Sequence, residues 1–396
     1  MFEKIVFAPD DPILSVSDSF NNDLRKNKIN LSVGVYRDFT GKVSVLDVVK
    51  KTEKFLLRNE NSKNYLSIDG KTEFNQIVQK LIFGSGHEII TSKRVCTVQT
   101  IGGTGALHIA ADFVAKQTDA KSVWISNPTW INHKNIFEAA GLKIKTYDYY
   151  DVINHNINFN AMLNDLSDSV SGDIIILHGC CHNPTGVDPT TEQWFKISDL
   201  CARKNILPVF DFAYHGFCKG INEDFESLRI FSKNNKEIII ATSFSKNFGL
   251  YNDRIGACTF VAKNSNNANR IFSQIKAIIR SKYSTPPAHG AEIVTTILSE
   301  ESLKISWLKE LKEMRDRIKY IRKILIERLK KISSKKNFDF IANQNGMFSL
   351  SGFTKKQIEC LRDEFGIYIL NTGRINIASI TLDNINYLCD SIVKIL

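Results

Sequence analysis

Short runs of apolar, mostly β-branched residues punctuate the middle of the chain, at Val95–Val98, Ser122–Ile125, Ile174–Leu177, Leu207–Phe210, Ile238–Ala241 and Ile255–Val261. Runs of this length without alternation read as strands buried on both faces. The stretches between them carry apolar residues at helical spacing, and strands separated by helices predict a parallel sheet with helices on both sides. From Glu301 to Ser333, Trp307, Leu308, Leu311, Ile318, Ile321, Leu325 and Leu329 share one face, which predicts a long helix linking two domains. Near the start, Leu31 to Arg37 alternates apolar and small residues and predicts a strand ending in the turn Phe39-Thr40-Gly41. Gly34 inside that pattern marks either a bulge or a close approach by a ligand or another backbone. The segment Ala8-Pro9-Asp10-Asp11-Pro12 is too proline-rich to begin a helix. It predicts an extended arm, followed by a short polar helix to about Lys28.

Composition adds limits. A chain of 396 residues, 43% hydrophobic and 24% charged, is long enough for two domains with their own cores. A net charge of +10 raises the possibility of nucleic-acid binding. The lysines are spread among acids, as in Lys309-Glu310-Leu311-Lys312-Glu313, which favours a solvated basic surface over a phosphate-tracking stripe. Eight cysteines without a Cys-x-x-Cys pair, several of them inside apolar strands, predict buried reduced thiols in a reducing compartment. No apolar run approaches the roughly 20 residues of a membrane span. The first residues lack a basic segment followed by an apolar core, and no Arg-rich, acid-poor transit segment is seen, so a cytoplasmic location is expected.

The chemistry-bearing residues fall just after the predicted strands, where parallel sheets place their sites. Gly102-Gly103-Thr104-Gly105 opens a helix, and exposed N–H groups there suit a phosphate. Trp130 follows the second run and reads either as core or as a platform for a flat ring. His178 and His182 bracket a turn ending in Asn183-Pro184; a zinc reading of that pair needs a helix, which Pro184 and the neighbouring glycines oppose, so no metal is expected. Asp211 reads either as a helix cap or as the partner of a buried cation, with Tyr214 three residues on. Lys246 stands on a loop between two strands, where lost hydration would make its amine nucleophilic; the alternative is a solvated surface lysine. Arg254, Ser243 and Ser245 can hold a phosphate beside it. A carbonyl cofactor that carries a phosphate and needs a lysine is pyridoxal phosphate (PLP), and an aspartate on its pyridine nitrogen would make the ring an electron sink.

Four motifs in order make the pattern specific: Ala8-Pro9-x-Asp11-Pro12-Ile13-Leu14, Asn127-Pro128-Thr129-Trp130, His182-Asn183-Pro184-Thr185-Gly186 and Ser243-Phe244-Ser245-Lys246 through Arg254. Together they resemble the aspartate aminotransferase family over essentially the whole chain. The resemblance implies an α/β fold of the PLP-dependent transferase type I. It has a large domain (45–313) built on a mostly parallel seven-stranded sheet, and a split, smaller α+β domain (13–44 and 314–396). An N-terminal arm (1–12) would reach the partner subunit of a homodimer with shared active sites. Lys246 would be the Schiff-base lysine, Asp211 the partner of the pyridinium, and Tyr214 and Asn183 the partners of the ring oxygen. Trp130 would stack on the ring, supported by His133. Gly103, Thr104, Ser243 and Arg254 would hold the phosphate, with Tyr65 reaching in from the other subunit. Arg374 would grip the substrate's α-carboxylate and Arg280, from the neighbouring subunit, its side-chain carboxylate, while Gly34 adds a backbone contact. The implied reaction is a ping-pong exchange between L-aspartate and 2-oxoglutarate, with the small domain closing to exclude water. Thr285, Ser379 and Ser15 depart from the family pattern; Thr285 and Ser15 lie near the expected substrate mouth and leave aromatic amino acids open as substrates. A PLP-dependent lyase would need the same lysine and aspartate but no second carboxylate clamp.

Overall fold

Six of the seven strands of the central sheet form where the sequence is most apolar, because an Ile or Val buried between two layers of helix contributes about 2 kcal/mol relative to leaving it in water. In the computed structural model, which describes residues 1–396, the seven strands are β1 (Val95–Ile101), β2 (Ser122–Asn127), β3 (Lys143–Asp148), β4 (Ile174–His178), β5 (Leu207–Phe212), β6 (Ile238–Ser243) and β7 (Ile255–Val261). They form one sheet in the order β1-β7-β6-β5-β4-β2-β3. All neighbours are parallel except β7, which runs antiparallel to both β1 and β6. The fold is therefore the mostly parallel α/β sheet expected. β3 is the addition: an edge strand whose outer lysines hide it from an apolar-run search.

Several strands extend beyond their apolar runs. β5 continues through Asp211 to Phe212 and β6 through Ser243, because ladder hydrogen bonds do not require an apolar side chain. Helix α1 (Gly102–Gln117), α2 (Ile131–Ala139) and α3 (Ser265–Lys282) bring Ala106, Ala110, Ile136, Phe137, Ile275 and Ile279 onto Val98, Val123, Ile174, Ile176, Val209, Ile239 and Phe260. That packed layer fixes one side of the sheet and leaves the turns at its carboxyl ends to carry chemistry.

Contacts divide the chain into two units, residues 44–316 and residues 1–43 with 317–396. The long helix α4 (Glu301–Ile332) runs across the division, as its apolar spacing predicts. In the smaller unit, Ile29–Asn30 pairs parallel with Ile367–Tyr368, and Phe348–Leu350 pairs antiparallel with Arg374–Asn376. The predicted strand at residues 31–37 is absent; only Ile29–Asn30 is a strand. The backbone after Asn30 is instead held by side chains, with Asn376 Nδ2 donating to the carbonyls of Val33 (2.7 Å) and Val35 (2.8 Å). Residues 1–10 form one short turn at Phe2–Lys4 and otherwise extended backbone, with Phe2, Ile5, Val6 and Phe7 exposed. All eight cysteines are free thiols, seven buried and Cys360 partly exposed. No helix is long and apolar enough to cross a membrane.

Candidate active site

Asp211 is the centre of the constellation. It sits in β5 beside His178 of β4 in the parallel register, and it is buried. A buried carboxylate needs partners, and His133 Nε2 lies 2.9 Å from Asp211 Oδ2. Because an ionised carboxylate only accepts, His133 donates from Nε2, and its Nδ1 then accepts from the Thr129 hydroxyl at 2.9 Å. Burial alone would raise the Asp211 carboxyl; the hydrogen bond from His133, with the nearby Lys246, outweighs it and holds the carboxyl below its ordinary range. Burial keeps His178 and His182 neutral, well below the usual histidine value.

Lys246 reaches the same place from the β6 turn. It is half-buried, with Nζ 5.0 Å from the centroid of the Tyr214 ring. Asn247 locks that turn: its Nδ2 donates to His215 Nε2 at 2.8 Å, and its carbonyl accepts from the Trp307 indole at 2.8 Å. His215 in turn donates from Nδ1 to the Phe212 carbonyl. The turns bearing Asp211, Tyr214 and Lys246 are thus tied together by a buried His–Asn–Trp relay that sequence reasoning did not identify. Trp307 was visible only as a core residue of the long helix. His215 and Asn247 gave no signal beyond adjacency to Tyr214 and Lys246.

An anion cradle adjoins this cluster. α1 begins at Gly102 with no side chain capping its first N–H groups. Gly102 holds φ +68°, and a β-carbon there would meet an Arg254 guanidinium nitrogen at 2.7 Å. A β-carbon on Gly103 would meet Ser243 at 3.0 Å. Arg254 is braced by the Tyr251 carbonyl at 3.0 Å. Two glycines thus keep open a concavity lined by N–H groups, a hydroxyl and a guanidinium, which fits a phosphate ester. Thr104 belongs to the same first turn of α1.

The Asn183 turn completes the ring. Asp188 accepts the N–H groups of Cys181 (2.9 Å) and His182 (2.8 Å). His182 is set between the hydroxyls of Ser126 (3.0 Å) and Thr185 (2.9 Å) and stacks on Tyr149 at 4.0 Å. The His178 and His182 rings lie edge-on, 4.2 Å between centroids. Trp130 packs edge-on against His133 at 5.4 Å.

Not every candidate converges in one chain. Tyr65 is 94% exposed, and Arg280, in the last turn of α3, bonds only the Ser284 hydroxyl. Neither makes a hydrogen bond or ring contact with the cluster. In the smaller unit, Arg374 is buried over the Phe348 ring at 4.1 Å and donates to the Ser32 carbonyl at 2.6 Å, so it lies by the segment that carries Gly34.

A family model described as aminotransferase class I and II matches residues 26–392. The chain belongs to this family. It is 53% identical to the aspartate aminotransferase of Escherichia coli K12 and 54% identical to that of Salmonella typhi, each over 396 residues and the whole of both chains. Among solved structures, an aromatic-amino-acid aminotransferase from Burkholderia pseudomallei, covalently bound to pyridoxal phosphate, superposes with a TM-score of 0.98 at 41% identity, covering 100% of this chain and 99% of that one. The cytoplasmic aspartate aminotransferase of Saccharomyces cerevisiae gives 0.97 at 36% identity, covering 100% and 98%. The chain is thus an aminotransferase with the fold that its motifs imply.

Proposed function

We propose that this aminotransferase moves the amino group of L-aspartate to 2-oxoglutarate, giving oxaloacetate and L-glutamate in a ping-pong cycle with PLP. The observation that carries the reading is the buried, ionised Asp211 held by His133 next to the Lys246 ammonium, beside a cradle shaped for a phosphate. Full-length identity of 50–54% to aspartate aminotransferases supports the substrate pair. When bound, PLP supplies a carbonyl for the amino group and a ring that accepts the electron pair left at the substrate's Cα.

The side chains divide the remaining work. Asp211 would hold the pyridine nitrogen of the cofactor in its charged form. Lys246 would supply the amine that anchors the cofactor and serves as the acid–base group for the proton at Cα. Trp130, Asn183 and Tyr214 would position the ring. Gly103, Thr104, Ser243 and Arg254 would hold the phosphate, joined by Tyr65 from a second copy. Arg374 binds the α-carboxylate as a planar fork, Gly34 adds a backbone contact, and Arg280 of a second copy binds the distal carboxylate. The exposure of Tyr65, Arg280 and the apolar arm residues supports a homodimer with exchanged arms and shared sites, and the proposed location is the cytoplasm.

The test is an absorbance titration of the purified protein. Aspartate alone should discharge the visible band of lysine-bound cofactor and leave its amino form. A band indifferent to aspartate overturns the reading. Sharing of sites has its own test: Lys246→Ala and Arg280→Ala chains, each inactive alone, should recover about a quarter of native activity when co-refolded, because one site of each mixed dimer is then intact. No recovery, with mixed dimers verified, means each chain supplies its own arginine.

A second reading, action on aromatic amino acids, is favoured by the aromatic aminotransferase at TM-score 0.98 and by Arg280, which is tied only to Ser284 and is free to swing. Arg280→Asp should lower kcat/KM for aspartate by about a hundredfold or more, the scale of losing a charged bidentate partner, and spare phenylalanine. Equal losses for both would remove Arg280 from the distal clamp.

A further inference from the structure

Two buried thiols and a carboxylate meet just behind the Asn183 turn, and the transamination chemistry uses none of them. Cys181 Sγ, Cys218 Sγ and an Asp188 carboxylate oxygen all lie within 4.8 Å of one another. We propose that Cys181, Cys218 and Asp188 form a binding site for a thiophilic d10 cation such as Zn2+ or Cd2+.

The donors suit that class. Two sulfurs and one oxygen are a soft-to-borderline set, favoured by zinc and cadmium over magnesium or calcium. In a tetrahedral zinc site with Zn–S near 2.3 Å, neighbouring donors stand about 3.8 Å apart, so the observed trio closes on an ion with shifts of about 1 Å or less. Asp188 is oriented toward the thiols by accepting two N–H bonds, one on each oxygen. The fourth position is left to water, and Asp188 is the partly exposed member of the trio.

The scaffold holds the donors in place before any ion arrives. Asp188 clamps the turn after β4 through the N–H groups of Cys181 and His182. Asp224 clamps the turn after β5 by accepting from Gly216, Cys218, Lys219 and Gly220. Cys181 holds φ +53°, a left-handed backbone that costs a residue with a β-carbon about 1–2 kcal/mol and is retained because those bonds impose it. Preorganised donors on two rigid turns are what a metal site needs. Binding would release a proton from each thiol and join the turn that carries Asn183 to the one that follows Tyr214. The ion would therefore cross-link two arms of the cofactor pocket from behind.

Cadmium is the direct probe. The PLP-loaded protein, kept reduced with a phosphine and free of amino acid, should develop the ultraviolet thiolate-to-cadmium absorbance and saturate at one equivalent of Cd2+ per chain. Cys218→Ala and the size-conserving Cys218→Ser should each weaken binding at least about tenfold, the scale set by perturbing a metal's ligand shell. Cys201→Ala, a buried cysteine in the helix Thr191–Lys204, should leave both affinity and stoichiometry unchanged. Saturation at one equivalent that survives both Cys218 substitutions overturns the proposal, as does a native chain with no saturating band. The visible cofactor band reports separately on the transamination reading.

Discussion

Replacing Lys246 with alanine is expected to leave a folded chain that still takes up PLP but turns over aspartate more than about ten-thousandfold more slowly. The size follows from the two tasks assigned to one amine, because general acid–base catalysis alone is worth up to about 10⁴-fold and the covalent bond is lost with it. The fold should survive, since Lys246 is half-buried on a turn whose geometry is set by Asn247, His215 and Trp307. Two measurements decide the matter: kcat from single-turnover decay of the cofactor absorbance, and the melting temperature. Turnover within about tenfold of native in a well-folded variant would return Lys246 to the role of a surface lysine.

Asp211→Asn should cost about 10² to 10³ in kcat, the magnitude seen when a preorganised electrostatic partner is removed from a dry site. Asparagine keeps nearly the same shape and can still bond His133, so the loss isolates the charge. Asp211→Glu keeps the charge and should recover part of the rate. Both variants retain the phosphate cradle, so cofactor affinity should fall far less than kcat. A drop confined to cofactor binding, with kcat near native, would show that Asp211 merely anchors the ring.

Asp211 and Lys246 could be picked out as candidates from the chain because strand-end chemistry follows a simple rule. Apolar runs mark buried parallel strands, and the turns at their carboxyl ends are where such sheets place their sites. Five of the six runs lie in strands that end at site turns: Gly102 after β1, Trp130 after β2, Asn183 after β4, Asp211 in β5 and Lys246 after β6. The edge strand β3 escaped because its lysines break the apolar run, and the segment at residues 31–37 misled because alternation also occurs where side chains, here Asn376 and Arg374, hold an irregular backbone.

By itself, the sequence determined the α/β class, the long helix α4 and the buried reduced thiols, and it singled out Lys246, Asp211 and the phosphate-cradle residues that the proposed function uses. Each of these depends on periodicity or on residues within one short motif. Only the tertiary structure decided that His133 donates to Asp211 across 78 positions, that Trp307 and His215 brace the Lys246 turn through Asn247, and that Cys181, Asp188 and Cys218 share one pocket. Those relations join residues from different strand-end turns and helices. Their distances are set by how the sheet orders its strands, and local sequence carries no record of that order.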